Sequence, residues 1–466
     1  MRSIVQRRAL GFIGAVALGG ALTLGLPAPD AQAWSLEEAA KPYAGTAIRG
    51  ICDGYAPCLA YIELKKEFEA VTGITVNLEV ADLQAIQTQF LTEQVTGSNY
   101  FDFVEVISFS SGVFPSQGFV HPLSDFTSNE ALRDPAVDVT TDLIPDVVNT
   151  CCVYEGVQYA VPTKFVMPYM IYRSDLVTDD EKANFQAKYD YDMPLPPTEW
   201  QQYYDLAQFY TRKKGETLAG QTLEKDFYGT VIAFKRHLTI IYDYERVLLG
   251  MGSAYTNEKG EVQFDRDGIG LKGLEFMLSL RPYSIPSYME ATWDEQYAEM
   301  CNGNIFIEFS WGDTTPFLEI PGDCPASAGK MAYFPNLGSQ LSQAEAQGWY
   351  IPKSAQNGEA AWLFIQWLQT KDVQVASMKL GGLPTRLDVI RMPEWQAEDW
   401  PNRPRDALHI YTIDNKLLYS RPANPAWLAW TDIIMEEFSA AGADAKSAEE
   451  AVKSAGERMR AAAEGQ

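Results

Sequence analysis

Histidine is scarce in this 466-residue chain, which has only His121, His237 and His409, far apart from one another. A histidine-rich metal centre therefore has little support, and the helical zinc-protease pattern is absent. The chain also has no glycine-rich loop ending in Gly-Lys-Ser/Thr and no Gly-x-Ser-x-Gly turn. These absences count against phosphate-loop proteins and against hydrolases with that nucleophile turn.

Basic residues are also few. Lys and Arg number 37 against 62 Asp and Glu, which gives a formal charge of −25 and a pI near 4.5. Nucleic-acid binders need a positive face, so this balance counts against that class of partner. Hydrophobic residues make up 46% and aromatic residues 12%, enough for a sizeable core. At this length we expect two or three domains.

Long apolar runs are absent except near the N-terminus. Arg2, Arg7 and Arg8 precede an apolar stretch, and Ala31-Gln32-Ala33 follows it, which is the pattern of a signal peptide over residues 1–33. The paired arginines suggest twin-arginine export, with the general secretory route as the alternative. A membrane anchor is the other interpretation of the stretch, which is short and weakly apolar for a span. Cleavage after Ala33 removes three basic residues and one acidic residue. The exported chain would then have 34 basic and 61 acidic residues, a formal charge of −27.

Six cysteines fit an oxidising compartment. They form three local groups, and no Cys-x-x-Cys spacing indicates a metal site. Six cysteines allow 15 pairings, which sequence alone does not resolve. Our working hypothesis pairs Cys52 with Cys58 and Cys301 with Cys324, and leaves Cys151 and Cys152 as the least constrained group.

The first part of the chain alternates strands and helices. The pattern predicts strands over 46–51, 74–80 and 101–107, with helices over 61–71 and 83–95 between them. This β-α-β-α-β order implies a parallel sheet whose carboxyl-end loops carry function. Further along, we predict helices over 200–211, 229–250, 269–280, 358–370 and 446–463, and strands over 305–309 and 330–335.

Taken in order, several short motifs resemble the extracytoplasmic solute-binding proteins of ABC importers, in the sugar-binding group that includes maltose-binding protein. Each motif is weak alone, and the resemblance rests on their order and spacing over about 45–460. The motifs are Thr72-Gly73-Ile74, Phe101-Asp102-Phe103-Val104, Tyr159-Ala160-Val161-Pro162, Ile171-Tyr172-Arg173, Gly260–Asp265, Gly303–Trp311, Gly348–Lys353 and Gly382–Arg386.

The resemblance implies an α/β, two-lobed periplasmic-binding-protein fold of the class II type, with a hinge between the lobes and solute in the cleft. Lobe one would hold 45–168 and 333–375, and lobe two 169–332 and 376–460. It also implies a periplasmic monomer that delivers a small solute to a membrane permease, with no cofactor, no metal and no catalytic residues. The expected solute is a carbohydrate or polyol.

Aromatic and polar residues at strand ends are the candidate ligand-binding residues, because a sugar packs its C–H face on an indole and its hydroxyls on carboxylates and amides. Trp311 ends an apolar strand beside Asp313. The full set is Asp53, Tyr55, Asp82, Ser108, Ser110, Lys164, Phe165, Trp311, Trp349, Gly382, Arg386, Trp427 and Trp430.

Several candidates have an ordinary structural alternative. Asp82 could simply cap the following helix, Arg386 could form a surface salt bridge, and the tryptophans could be core residues. Maltodextrin specificity is not expected to transfer, because the loop after the third strand lacks the charged pair that grips maltose.

Two alternative functions stay open. The compact basic cluster Lys235–His237 could read a small organic acid in place of a sugar, or form a solvated helix face. A secreted acidic glycoside hydrolase is the other alternative, since such enzymes use two carboxylates, but no motif singles out one pair.

Overall fold

A computed structural model describes residues 34–465. The predicted signal peptide over 1–33 and its cleavage lie outside these residues. Within the described part of the chain, no helix is both long and apolar enough to cross a membrane.

Strands form two main sheets and three short two-stranded ladders in residues 34–465. In chain order they are β1 (Ala47–Asp53), β2 (Thr75–Ala81), β3 (Phe103–Ile107), β4 (Val153–Tyr154), β5 (Val157–Gln158), β6 (Ala160–Val166), β7 (Pro168–Arg173), β8 (Thr217–Leu218), β9 (Gln221–Thr222), β10 (Ile307–Trp311), β11 (Met331–Phe334), β12 (Ser342–Gln343), β13 (Glu345–Tyr350) and β14 (Leu418–Tyr419).

Helices cover and connect these sheets. They are α1 (Leu36–Ala40), α2 (Ala56–Thr72), α3 (Leu83–Thr96), α4 (Val113–Ser116), α5 (Ser124–Thr127), α6 (Pro145–Cys152), α7 (Asp179–Tyr189), α8 (Trp200–Tyr210), α9 (Leu238–Gly250), α10 (Ile269–Ser279), α11 (Trp293–Cys301), α12 (Thr315–Leu318), α13 (Gly358–Leu368), α14 (Lys371–Lys379), α15 (Leu387–Ile390), α16 (Arg403–Asp414), α17 (Trp427–Gly442) and α18 (Ala448–Glu464).

The first main sheet has the strand order β2-β1-β3-β13-β6. As the β-α-β-α-β pattern predicts, β1 runs parallel to both β2 and β3, in register Ala47 with Thr75 and Gly50 with Phe103. The late strand β13 is antiparallel to β3 and to β6, so the sheet as a whole is mixed. This return of the chain places residues near 345 beside residues near 105 and 164.

The second main sheet has the order β10-β7-β11, with both neighbours antiparallel to β7. Only Met167 separates β6 of the first sheet from β7 of the second, so the chain passes directly from one sheet to the other there. Trp311 at the end of β10 pairs with Pro168 at the start of β7. The end of β10 and the start of β7 therefore lie next to the end of β6, where the chain leaves the first sheet.

Capping residues explain several helix boundaries. The Asp82 carboxylate accepts a hydrogen bond from the Gln84 amide at 2.9 Å, at the start of α3. Gly73 ends α2 with a φ of 70°, a left-handed conformation that glycine adopts without strain. The helix predicted over 229–250 is shorter in the structure, because it begins at Leu238 after a cap by His237, and residues 229–237 are not helical.

Disulfide bonds join all six cysteines. Cys52 pairs with Cys58 and Cys301 with Cys324, which confirms the working hypothesis, and the adjacent Cys151 and Cys152 pair with each other. The first bond ties the end of β1 to the first turn of α2. It therefore braces the loop that contains Asp53 and Tyr55.

Candidate ligand-binding site

A cavity of about 30 Å³, with room for about two water molecules, lies between the ends of the two main sheets. Its walls come from loops and strands of the first sheet and from elements packed around the second. The lining residues are Asp53, Tyr55, Leu83, Val166, Tyr242, Trp293, Trp311, Asp313, Thr314, Glu345 and Gln347.

At the cavity, the buried ammonium of Lys164 forms ion pairs with three carboxylates, those of Asp53, Glu105 and Asp313. We call these four residues the lysine cluster. The Lys164 ammonium donates to Asp53 Oδ2 at 3.0 Å and lies 3.5 Å from Asp313 Oδ2 and 3.7 Å from Glu105 Oε1. Glu105 is held further, because its oxygens also accept from Thr163 Oγ1 and from the Asp53 amide, both at 2.6 Å. Asp53 and Asp313 are the two members that line the cavity.

The lysine cluster has more negative than positive charge, and the titration of Asp53 reflects this. Burial raises the pKa of the Asp53 carboxyl to about 7, and the charges of Glu105 and Asp313 act in the same direction, while Lys164 opposes them. The pKa of Lys164 is raised, because the three carboxylates outweigh its own burial. The ammonium therefore stays charged while one carboxylate is close to taking a proton at neutral pH.

A second buried cation has a more complete set of partners; we call Arg421, Glu245, Glu345 and Ser108 the arginine cluster. Arg421 donates from Nε to Glu245 Oε1 at 3.0 Å and from Nη2 to Glu245 Oε2, a forked pair. Its Nη1 donates to Ser108 Oγ at 3.0 Å and to Glu345 Oε2 at 3.3 Å. The guanidinium also lies 4.0 Å from the ring centroid of Phe109. Only Glu345 of this cluster lines the cavity.

Two tyrosine hydroxyls bridge the cavity from one side to the other. Tyr55, which follows β1, donates to Asp294 Oδ1 of α11 at 2.6 Å. Tyr242 of α9 donates to Glu345 Oε1 of β13 at 3.1 Å. Burial and the adjacent carboxylates raise the pKa of both hydroxyls, so they remain protonated donors. These bonds hold the two walls against each other.

Trp311 is the central aromatic wall of the cavity. The Tyr242 ring meets it edge-to-face with centroids 5.1 Å apart, and the Arg246 guanidinium lies 5.2 Å from its ring centroid. Burial lowers the pKa of Arg246 to about 10 and raises that of Asp243 behind it to about 6. The indole Nε1 of Trp311 is buried and has no hydrogen-bond partner among the described residues. It is therefore a donor available to a bound molecule.

Three of the residues predicted from sequence line the cavity: Asp53, Tyr55 and Trp311. Two more predicted residues do not line the cavity but bind carboxylates that do. Lys164 binds the lining carboxylates of the lysine cluster, and Ser108 donates to the lining Glu345. The structure thus brings five predicted residues together from segments far apart in the chain.

Four other candidates lie away from the cavity walls. Asp82 caps α3, as the alternative interpretation holds. Phe165 is fully buried 5.1 Å from the His409 ring, and Ser110 is buried without lining the cavity. Trp349 packs edge-to-face on Phe103 at 5.3 Å inside the first sheet's core, because it lies further along β13 than the cavity-lining end of that strand.

The remaining candidates also lie away from the cavity walls. Gly382 is required by Ser377, since a Cβ there would meet its Oγ at 2.1 Å. Arg386 donates to Asp142 and Asp388, each at 2.9 Å, which is the salt-bridge alternative. Trp427 packs on Phe109 beneath Arg421, and Trp430 donates to the Met459 carbonyl. Neither tryptophan reaches the cavity.

Sequence reasoning missed eight of the lining residues. For two of them a signal existed, since Glu345 and Gln347 alternate along one strand in a period of two. Tyr242 lies in a helix that is buried along its whole length, which gives no amphipathic pattern to interpret. The missed residues are Leu83, Val166, Tyr242, Trp293, Asp313, Thr314, Glu345 and Gln347.

Within residues 34–465, no group of three or more His, Cys, Asp or Glu side chains has the geometry to hold a metal ion. The basic cluster Lys235–His237 lies beside the cavity rather than in it. His237 caps α9, and its ring meets the cavity-lining Trp293 edge-to-face at 4.5 Å. Burial lowers the pKa of His237, so it is neutral at physiological pH.

A model of the bacterial extracellular solute-binding proteins matches residues 63–404, most of the chain. The chain belongs to this family. That assignment agrees with the resemblance found in the sequence motifs. A comparison with curated protein sequences gave no match.

Many solved structures share the fold, which is the two-lobed α/β fold of solute-binding proteins. An ABC transporter solute-binding protein of Agrobacterium radiobacter in complex with ribitol has a TM-score of 0.74 and 19% identity, over 90% of this chain and 99% of that chain. A Thermotoga lettingae protein bound with α-D-tagatose has a TM-score of 0.73, 19% identity and the same coverage. A maltose-bound protein of T. maritima has a TM-score of 0.72 and 17% identity, over 89% of this chain and 99% of that chain.

Proposed function

We propose that this protein is the solute-binding component of an ABC importer and captures a small polyhydroxylated solute, a carbohydrate or polyol, in the cavity between the two sheets. The main support for this proposal is that one cavity combines the indole of Trp311 with three carboxylates, those of Asp53, Asp313 and Glu345. An indole packs on the C–H face of such a solute, and carboxylates accept from its hydroxyls. The ribitol, tagatose and maltose in the similar structures support this class of solute.

The proposed mechanism is closure of two lobes over the solute. Lobe one would comprise 45–168 and 333–375, and lobe two 169–332 and 376–460. The direct passage from β6 to β7 at Met167 supports a hinge there. The hydrogen bonds from Tyr55 to Asp294 and from Tyr242 to Glu345 would then join the two lobes across the cavity. Solute that touches both walls would shift the population toward that form.

The family also supports export, and we infer a periplasmic location after cleavage near Ala33. The closed form would be presented to a membrane permease by a monomeric receptor. The acidic surface needs no partner of opposite charge, because net charge keeps a freely diffusing protein soluble. We infer binding without catalysis, and turnover of a chromogenic glycoside that disappears on substitution of a cavity carboxylate would contradict that inference.

A thermal-unfolding screen of sugars, polyols and sugar acids tests the proposal. A solute that binds only the folded state at 100 times its Kd adds about 2.7 kcal/mol to the unfolding free energy, which raises the midpoint by several degrees. We expect such a rise with at least one sugar or polyol. Stabilisation by sugar acids alone would favour the organic-acid alternative, and no response to any member of the screen would contradict the proposed class of solute.

A further inference from the structure

The cavity has more acceptors and negative charges than a neutral sugar needs. The lysine cluster sets one cation against three carboxylates, and in the arginine cluster Arg421 faces Glu245 and Glu345. The two clusters together therefore hold two cations and five carboxylates. With every carboxylate ionised this leaves three formal negative charges, and three of the five carboxylates, Asp53, Asp313 and Glu345, line the cavity.

Several donors of the lining are already used within the protein. Tyr55 and Tyr242 already donate to carboxylates, and the Thr314 hydroxyl donates to the Trp311 carbonyl at 3.0 Å. The Gln347 side-chain oxygen, in contrast, is a buried acceptor with no partner among the described residues. The indole Nε1 of Trp311 is an unpaired donor, but three carboxylates of the lining are acceptors, so acceptor oxygens predominate there.

We propose that the solute carries a basic nitrogen, so that it is a polyhydroxylated amine such as an amino sugar or an aminoalditol. An ammonium supplies three donors and a positive charge, and aromatic rings such as Trp311, Trp293 and Tyr242 are suitable walls for a cation. Charged donors also make stronger hydrogen bonds to carboxylates than hydroxyls do. This inference rests on the proposed function and narrows its class of solute.

The surroundings of the cavity do not cancel the excess charge. Lys235 lies outside the lining, and its charge lowers the pKa of Glu295. The carboxylates Asp82 and Asp294 lie near His237, which is neutral. Arg246 behind Trp311 faces Asp243 and Glu308, two carboxylates of its own. Each nearby cation therefore already has at least one acidic neighbour.

Calorimetric titration at neutral pH with three matched sugars tests the inference: D-glucosamine, D-glucose and N-acetyl-D-glucosamine. The pair 1-amino-1-deoxy-D-sorbitol and D-sorbitol repeats the comparison in open-chain form. We expect the charged member of each set to bind at least about tenfold more tightly than its neutral counterparts, which is the effect of one favourable ion pair. Equal or tighter binding of the neutral members would overturn the inference and leave the proposed function intact.

Asp313→Asn adds a test that does not depend on the right sugar. In the ligand-free protein it removes one of three carboxylates around Lys164, so the unfolding midpoint should rise. With an amine that binds the wild type, the variant should lose about tenfold in affinity and change little toward a neutral polyol. Asp226→Asn, in an exposed pair with Lys213, is the matched control and should change neither value.

The outcomes separate the two proposals. If no amine binds and Asp313→Asn does not raise the midpoint, the amine inference is overturned, while the wider screen of sugars and polyols still decides the proposed function. If amines bind but Asp313→Asn affects neutral and charged solutes equally, the cavity carboxylates do not select the charge and the inference also fails.

Discussion

The lysine cluster and the arginine cluster lie at the same cavity but are built differently. Arg421 has a forked pair with Glu245, a hydroxyl partner in Ser108 and a stacked ring in Phe109, so its donors are used within the protein. Lys164 instead shares one ammonium among three carboxylates, two of which line the cavity. A planar guanidinium suits a fixed structural role, whereas a point charge with surplus acceptors leaves capacity for a ligand.

The largest expected effect comes from removing the arginine. Arg421→Met leaves Glu245 and Glu345 buried without a counter-charge, which should lower the unfolding free energy by about 3–5 kcal/mol. Chemical denaturation measures the difference. Arg391→Met, which breaks an exposed pair with Asp414, is the control and should cost less than about 1 kcal/mol. Similar losses for the two variants would mean that Arg421 is not the structural cation we describe.

Removing the lysine should cost less. Lys164→Met also strands buried carboxylates, but the pKa of Asp53 is already raised to about 7, so protonation relieves part of the excess charge. We expect a loss of about 3 kcal/mol, at the lower end of the range for broken buried pairs. Lys213→Met, in an exposed pair with Asp226, is the control. A loss larger than that of Arg421→Met would reverse our ranking of the two clusters.

A smaller effect concerns pH. The folded pKa of Asp53 is about 7, above its ordinary value of 3.8, so its contribution to stability is complete below pH 3.8 and is lost as pH rises through 7. Relative to Asp53→Asn, the wild type should therefore lose stability between these values, by at most about 1.4 kcal/mol per pH unit. Denaturation of both proteins across this range measures the slope. A difference that is independent of pH would show that folding does not raise the pKa of Asp53.

The sequence predicted local elements better than it predicted the site. The strand and helix order of β1 to β3 follows from alternating apolar patterns and from Gly73, which are signals within a few residues of each element. The late strand β13 was not predicted, because its inner face carries Glu345 and Gln347 where a core strand would carry apolar residues. Those two side chains are polar because they face a cavity.

The parts of the site that could not be predicted from sequence depend on contacts between residues far apart in the chain. Lys164 meets Asp53 across 111 residues, and Arg421 meets Glu245 across 176. Nothing local marks such partners in a chain with 62 acidic residues. The tryptophans illustrate the same limit. Trp311 and Trp349 both lie in motifs of the resemblance, yet of the two only Trp311 lines the cavity.

Solute binding by Trp311→Leu tests most directly whether this cavity is the binding site. We predict that calorimetric titration with a solute found in the stability screen gives an affinity at least about tenfold weaker for Trp311→Leu than for the wild type, because the indole wall and its free Nε1 donor are lost. Trp400→Leu, outside the cavity lining, should bind as the wild type does. Unchanged affinity in Trp311→Leu would contradict the account.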